Sequence, residues 1–403
     1  MEWQKVPLKA VAPAKAAPRD FQRNQSVWHL NLDSIEADTG NIISRKIAPV
    51  DQAGSSTIAF DSGNVLYSKL RPYLNKVVWP QEPGIATSEL VPLRPVPGIL
   101  EPAYLTYYLR SQRFVNFASQ FVAGAKMPRV VMKRFWEYRI PLPPLSEQRR
   151  IVEILDQADA LRKKRAEADK IADRILPALF YKMFGDPATN PKGFVKQELG
   201  QLIKIKSGQF LPKKKMNPEG MFPVYGGNGI SGYHSEFMFA DPVVVVGRVG
   251  AYCGVVHYTS PRSWVTDNAL FVSELSNQLI PTYLMEALKH ANLNQYAGRA
   301  GQPLISGNRI YPVQILVPPL EVQQSFEKAK RLMEKQLAYA DSSRKKLGCL
   351  FSVVLHRAFS GDLTAKWREA HMEELLQEME TQTKALAEPA PRSTGRGRKR
   401  RVS

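Results

Sequence analysis

The chain has 403 residues, room for two or three domains, and its 44% hydrophobic and 23% charged content is ordinary for a globular protein. Two cysteines argue against a disulfide framework or a cysteine metal site. No apolar run reaches the ~18 residues of a membrane span, and MEWQKVPLKA lacks the apolar core of a signal peptide, so a cytoplasmic protein is expected.

The formal net charge of +19 points to a polyanionic partner, and its distribution sharpens the point. Residues 1–145 carry +7, 146–187 carry +1, 188–318 carry +5, 319–388 carry 0 and 389–403 carry +6. Segments that read as globular are basic and segments that read as long helices are neutral.

In chain order, residues 1–143 read as a first globular domain. Pro and Ala crowd 7–18, where an exposed loop is expected. Residues 65–78 read as strand, loop and strand, the loop carrying Lys69, Arg71, Asn75 and Lys76 beside Tyr73. Basic and amide side chains around an aromatic suit phosphate and base-edge contacts, although a solvated hairpin would carry similar charges. A strand pair follows at 85–95, then a helix from Tyr104 to Phe121. The Gly124–Arg129 turn offers Lys126 and Arg129 to a phosphate or a guanine.

Residues 144–187 read as one helix of about ten turns. A proline stop, Pro141-Leu142-Pro143-Pro144, precedes it. Ser146 is the expected N-cap, with Glu147 and Gln148 in the first turn. Ile151, Ile154, Leu155, Ala158, Leu161, Ala168, Ile171, Ile175, Leu179 and Met183 recur at helical spacing and predict one apolar stripe. Gly185-Asp186-Pro187 ends it.

Residues 188–318 read as a second globular domain. Lys213 and Lys214 sit in a basic run, and a glycine-rich loop at 225–234 presents Asn228 and His234. That loop lacks the Gly-Lys-Ser/Thr ending of a phosphate-binding P-loop and reads as a shaped recognition loop. Val243–Gly254 reads as a buried strand running into a glycine turn with Arg248 and Tyr252, in the place of the Lys69–Arg71 loop. Gly298–Pro303, with Arg299 and Gln302, matches Gly124–Arg129.

Residues 319–362 read as a second long helix, with Gln323 where Gln148 was, 175 residues earlier. Its stripe includes Phe326, Met333, Leu337, Leu350 and Val354. Two copies of a globular segment plus a helix predict an α+β protein in which two mixed α/β domains are related by a pseudo-two-fold axis and joined by two long antiparallel helices. Residues 363–388 read as an amphipathic helix for a partner or for its own chain, and 389–403 as a disordered basic tail.

The chain shows no methyltransferase Asp/Asn-Pro-Pro-Tyr motif, no Walker A motif, no HExxH, no paired Cys/His metal spacing and no clear nuclease cluster. Its six histidines are scattered, and a lone one such as His257 suits a structural role. A binding protein without catalytic or metal-ligating residues is expected.

The proline stop followed by Leu145-Ser146-Glu147-Gln148 and a long helix, present twice, resembles the specificity subunit of type I restriction–modification systems. The resemblance implies two target-recognition domains (1–143 and 188–318) and two helical spacers (144–187 and 319–362). Each domain would read one half of a bipartite, asymmetric site in double-stranded DNA. The helices would set the spacing and dock two methyltransferase (modification) subunits, which hold S-adenosylmethionine and methylate adenine. Restriction/translocase subunits using ATP and Mg would complete the nuclease, while this chain binds no cofactor. The second copy departs from the pattern, reading Leu320-Glu321-Val322-Gln323, and residues 1–60 and 364–403 match poorly. The alternative from another class is a helical scaffold whose basic domains hold nucleic acid non-specifically.

Overall fold

Short runs rich in Val, Ile, Leu and Tyr form strands that are buried on both faces, as in Val65–Ser68 and Val244–Gly247. The computed structural model describes residues 2–22, 24–298 and 303–387. They fall into two units, one drawing on residues up to Arg165 and from Arg344 onward, the other comprising Ala166–Ser343.

Each unit repeats one frame. In the first, Val65–Ser68 lies between Val77–Val78 and Leu90–Leu93. In the second, Val244–Gly247 lies between Val256–Tyr258 and Ala269–Leu275. All three strands start a constant 179 residues apart (Val65 to Val244, Val77 to Val256, Leu90 to Ala269). Each unit adds a second sheet that contains a parallel pair, Ser26–Leu30 with Gly84–Thr87 and Phe222–Gly226 with Trp264–Val265. A two-stranded ladder leads into each long helix: Gln4–Pro7 with Arg139–Leu142, and Val195–Glu198 with Gln314–Val317. Residues 7–12 are therefore no exposed loop, since Leu8, Val11 and Ala12 are wholly buried.

The repeated glutamine has a structural cause. Gln148 Oε1 accepts from Glu101 N–H at 2.9 Å, while its Nε2 donates to Ile99 O and Pro143 O. Gln323 does the same with Ile280 N–H, Gln278 O and Pro318 O. Both side chains are fully buried. Each ties the helix start and the proline stop to the loop before another helix, Pro102–Arg110 or Pro281–His290. An amide fits because one group must both accept and donate twice.

Three expectations about the helices are corrected. The first spacer is two helices, Leu145–Ala172 and Ile175–Phe184. Pro177 has no N–H for the Asp173 carbonyl and its ring crowds that turn, which breaks the helix at 173–174. Ser146 is not the N-cap: it lies in the first turn, and its N–H and Oγ donate to the Glu378 carboxylate at 3.1 and 3.0 Å. A helix later in the chain thus supplies the negative charge at this N-terminus. The span 104–121 is two helices, Pro102–Arg110 and Gln112–Gln120, the second capped by Ser111.

The apolar stripe is also narrower than expected. The first spacer buries Ile151, Leu155 and Asp159, whereas Leu161 is 57% exposed and Ile175 48%. At ~100° per residue, Leu161 faces away from Asp159. The second helix, Leu320–Ser360, buries Phe326, Leu355, Ala358 and Phe359, while Leu350 is exposed. Ile154, Ala158, Leu179, Met333, Leu337 and Val354 are half-buried.

Within the first unit the two helices run antiparallel, since Arg162 lies over Phe351 at 4.3 Å while Glu147 bonds Thr364. Residues 365–387 form helices Ala365–Ala370 and Met372–Ala387 that pack on their own chain, with Leu375 wholly buried. The tail at 389–403 lies outside the described residues. No helix among the described residues is long and apolar enough to cross a membrane.

Candidate nucleic-acid interface

In the first unit, the segments at 69–74 and 122–130 meet although they lie far apart in sequence. Lys69 N–H donates to Glu89 O at 3.0 Å, Val130 N–H to Lys69 O at 2.9 Å and Arg71 N–H to Pro128 O at 2.7 Å. A bridge between Leu70 and Arg129 completes the joint.

The second unit repeats this joint bond for bond. Arg248 N–H donates to Asn268 O, Ile305 N–H to Arg248 O and Gly250 N–H to Pro303 O, at 2.9 to 3.0 Å, with a bridge between Val249 and Leu304. Lys69 therefore corresponds to Arg248, Arg71 to Gly250, Glu89 to Asn268 and Arg129 to Leu304. The backbone is shared and the chemistry displayed on it differs.

The first unit displays Lys69, Arg71, Tyr73, Lys126 and Arg129 together, with Arg71, Tyr73, Lys126 and Arg129 exposed. Arg71 and Asn75 adopt left-handed φ of 49° and 50°, where the second unit has Gly250 and Gly254 at 74° and 87°. Asn75 and Lys76 turn to the scaffold instead. Asn75 is buried and its Nδ2 donates to Arg110 O at 3.0 Å, and Lys76 Nζ donates to Leu32 O at 2.7 Å.

Arg129 is gripped by Glu89, a residue the sequence reading passed over. Its Nε donates to both carboxylate oxygens at 3.1 Å, its Nη2 to Oε1 at 3.0 Å and its Nη1 to Met127 O at 3.4 Å. The hydrogen bond to Glu89, then its charge, raises the Arg129 pKa further above its ordinary value. The signal for Glu89 lay in the parallel between Thr87-Ser88-Glu89 and Thr266-Asp267-Asn268.

In the second unit the candidates form two groups. Arg248 Nη1 donates to Ser207 Oγ at 3.0 Å, and Tyr252 is 51% exposed on the same loop. Gly227 and Gly247 bring the Asn228 turn against this loop. A Cβ on Gly247 would stand 2.2 Å from Tyr252 O and 2.5 Å from Gly227 O, so only glycine permits the approach. Lys213 and Lys214 lie on a short turn just before Asn217, whose N–H donates to Tyr233 O, and the His234 ring meets Trp264 edge-on at 5.4 Å. Arg299 and Gln302 lie outside the described residues.

Burial raises the Cys253 thiol pKa, and burial with the Lys289 charge lowers that of His257. Both shifts favour the neutral form over a thiolate or an imidazolium. Among the described residues no three His, Cys, Asp or Glu side chains gather to hold a metal ion.

A family model described as "Type I restriction modification DNA specificity domain" matches residues 1–170 and 191–331. The chain is 28% identical over 243 residues to the EcoprrI type I restriction enzyme specificity subunit of Escherichia coli, covering 55% of this chain and 58% of that relative. It is 23% identical over 334 residues to the EcoKI specificity subunit of Escherichia coli, covering 67% and 69%. A chain from a structural study of complex assembly and conformational transition of the type I R–M system matches at 21% identity and TM-score 0.61, covering 90% of this chain and 98% of that one. The type I S subunit from M. genitalium matches at 15% identity and TM-score 0.57, covering 89% and 96%. At these identities the two structures speak for the fold.

Proposed function

Because the chain belongs to the type I restriction–modification DNA specificity family, we propose that each of its two interfaces reads one half of a bipartite, asymmetric site in double-stranded DNA. The observation that carries this reading is the repeated joint. Three backbone hydrogen bonds recur between corresponding positions while Lys69, Arg71, Glu89 and Arg129 give way to Arg248, Gly250, Asn268 and Leu304. One scaffold with two sets of side chains is what two unlike half-sites require. Base edges differ in donors and acceptors, whereas phosphates need only positive charge.

In this reading Arg71, Lys126 and Arg129 of the first unit and Asn228, Arg248 and Tyr252 of the second meet DNA. The spacers set the distance between half-sites and dock two modification subunits through apolar side chains left exposed on them, such as Leu161, Ile175, Leu332 and Leu350. The chain itself is non-catalytic, as its relatives' names as specificity subunits support. The modification subunits bring S-adenosylmethionine, and restriction/translocase subunits bring ATP and Mg, all in the cytoplasm.

Modified-base sequencing of host DNA with and without the gene tests this reading. Loss of adenine methylation at one motif with two short halves and an unspecified spacer is expected. Methylation that does not change, together with steeply salt-dependent binding indifferent to sequence, would favour the scaffold alternative. Deleting Ala158–Lys164 removes about 10 Å of helix and is expected to alter the spacer, or abolish assembly, while both half-site sequences stay the same.

A further inference from the structure

Glu89 is an anomaly if the surface around it meets DNA. Its neighbours Lys69, Arg71 and Lys126 suit a polyanion, and a carboxylate among them repels phosphate. What the carboxylate does is fix Arg129. A guanidinium has five N–H donors. The bonds from Nε and Nη2 to Glu89 and from Nη1 to Met127 O engage three. One N–H remains on Nη1 and one on Nη2, on a guanidinium held from two sides.

We propose that Glu89 and Arg129 act as one reader, Glu89 positioning the guanidinium so that its free end takes the O6 and N7 of a guanine in the half-site of the first unit. This rests on the assignment of that surface to DNA and adds the base and the positioning residue.

Guanine presents two adjacent acceptors in the major groove, whereas adenine presents an acceptor beside a donor. Two parallel donors therefore accept the one and reject the other. A phosphate also binds a guanidinium in bidentate fashion, but it would carry its negative charge to within a few ångström of Glu89, while the guanine edge is neutral. A lone arginine serves a phosphate better than a gripped one. The second unit offers a contrast, because Asn268 and Leu304 stand where Glu89 and Arg129 stand. Among the described residues the pair stands in the first unit only.

The test uses the full-length chain and a duplex carrying the methylated motif, with each guanine of the first unit's half-site replaced in turn by 7-deazaguanine, which lacks N7. One position is expected to lose affinity roughly 10- to 150-fold, the range of the one charge-assisted hydrogen bond that N7 accepts. In Arg129→Ala the same replacement should have no further effect. Glu89→Gln keeps the shape and removes the charge, and should relax discrimination at that position while binding to unrelated DNA persists or rises.

No sensitivity to 7-deazaguanine anywhere in the half-site would overturn the proposal. So would an Arg129→Ala loss that is equal on cognate and unrelated duplexes with a salt slope smaller by about one, the signature of a phosphate contact. A wild-type chain with no preference for any motif would overturn the parent reading, and this one with it.

Discussion

The two units close the same frame by different means. In the second, the spacer helix ending at Phe184 continues through Gly185 to Phe194 and the strand Val195–Glu198. In the first, the corresponding helix end is Ser360, and the corresponding strand, Gln4–Pro7, comes from a distant part of the sequence, with Trp3 in the place of Phe194. Side chains replace the missing connection. Glu147, where the second unit has Val322, is wholly buried and accepts from Trp3 Nε1 at 2.8 Å, Thr364 Oγ1 at 2.6 Å and Arg368 Nε at 2.8 Å. The Arg368 guanidinium also lies over the Trp3 ring at 4.9 Å and donates to Gly361 O. A buried carboxylate is tolerated because each of its neighbours is a donor. One position carries a carboxylate or an isopropyl group according to whether the chain is joined there.

The sharpest way to break this comparison is to remove the charge. Glu147→Ala strands Arg368, whose side chain is only 13% exposed, and should cost about 3–5 kcal/mol, the range for a buried pair that loses one partner. Val322→Ala trims a half-buried side chain and should cost only about 1 kcal/mol. Urea unfolding of both variants measures the difference. Equal losses would mean that Glu147 holds nothing its counterpart does not.

The next test concerns what the units share. Gln148→Ala and Gln323→Ala each free the same three backbone partners, and each should cost about 1–3 kcal/mol per group left buried and unpaired. The two losses should agree within about 0.5 kcal/mol. In the first unit Gln382 Nε2 also donates to Ile99 O and Pro143 O at 3.2 and 3.4 Å. A markedly smaller loss for Gln148→Ala would show that this second amide covers for the first.

How much of this was legible depends on where the causes sit. The repeat, the long helices and the paired loops were legible because their signals are local: Pro-Pro stops, helical periodicity and glycine turns. The break at 173–174 was legible in principle from Pro177, but the apolar spacing on either side outweighed it. The Glu378 cap, the clasp at Glu147 and the inward turn of Asn75 join residues 35 to 232 positions apart, and no local pattern encodes such contacts. The same holds for the grip of Glu89 on Arg129, where the sequence shows two charges 40 residues apart and only the fold makes them a pair.

The subtlest difference between the units lies at Arg71. A left-handed residue costs roughly 1–2 kcal/mol when it carries a Cβ, and the second unit avoids that cost with Gly250. An arginine kept at a glycine position suggests that its side chain serves something other than stability. Arg71→Gly relieves the strain but loosens the unfolded chain by about 0.4–1 kcal/mol, so the net effect should be a gain of about 0.5–1 kcal/mol. Affinity for the cognate duplex should fall at the same time, since an exposed cation is lost. Thermal unfolding and DNA binding on one preparation decide the matter. A variant that is less stable would show that the Arg71 side chain is held for the fold, through its contact with Met127 sulfur at 3.8 Å, and the first unit would then differ from the second here by structural need alone.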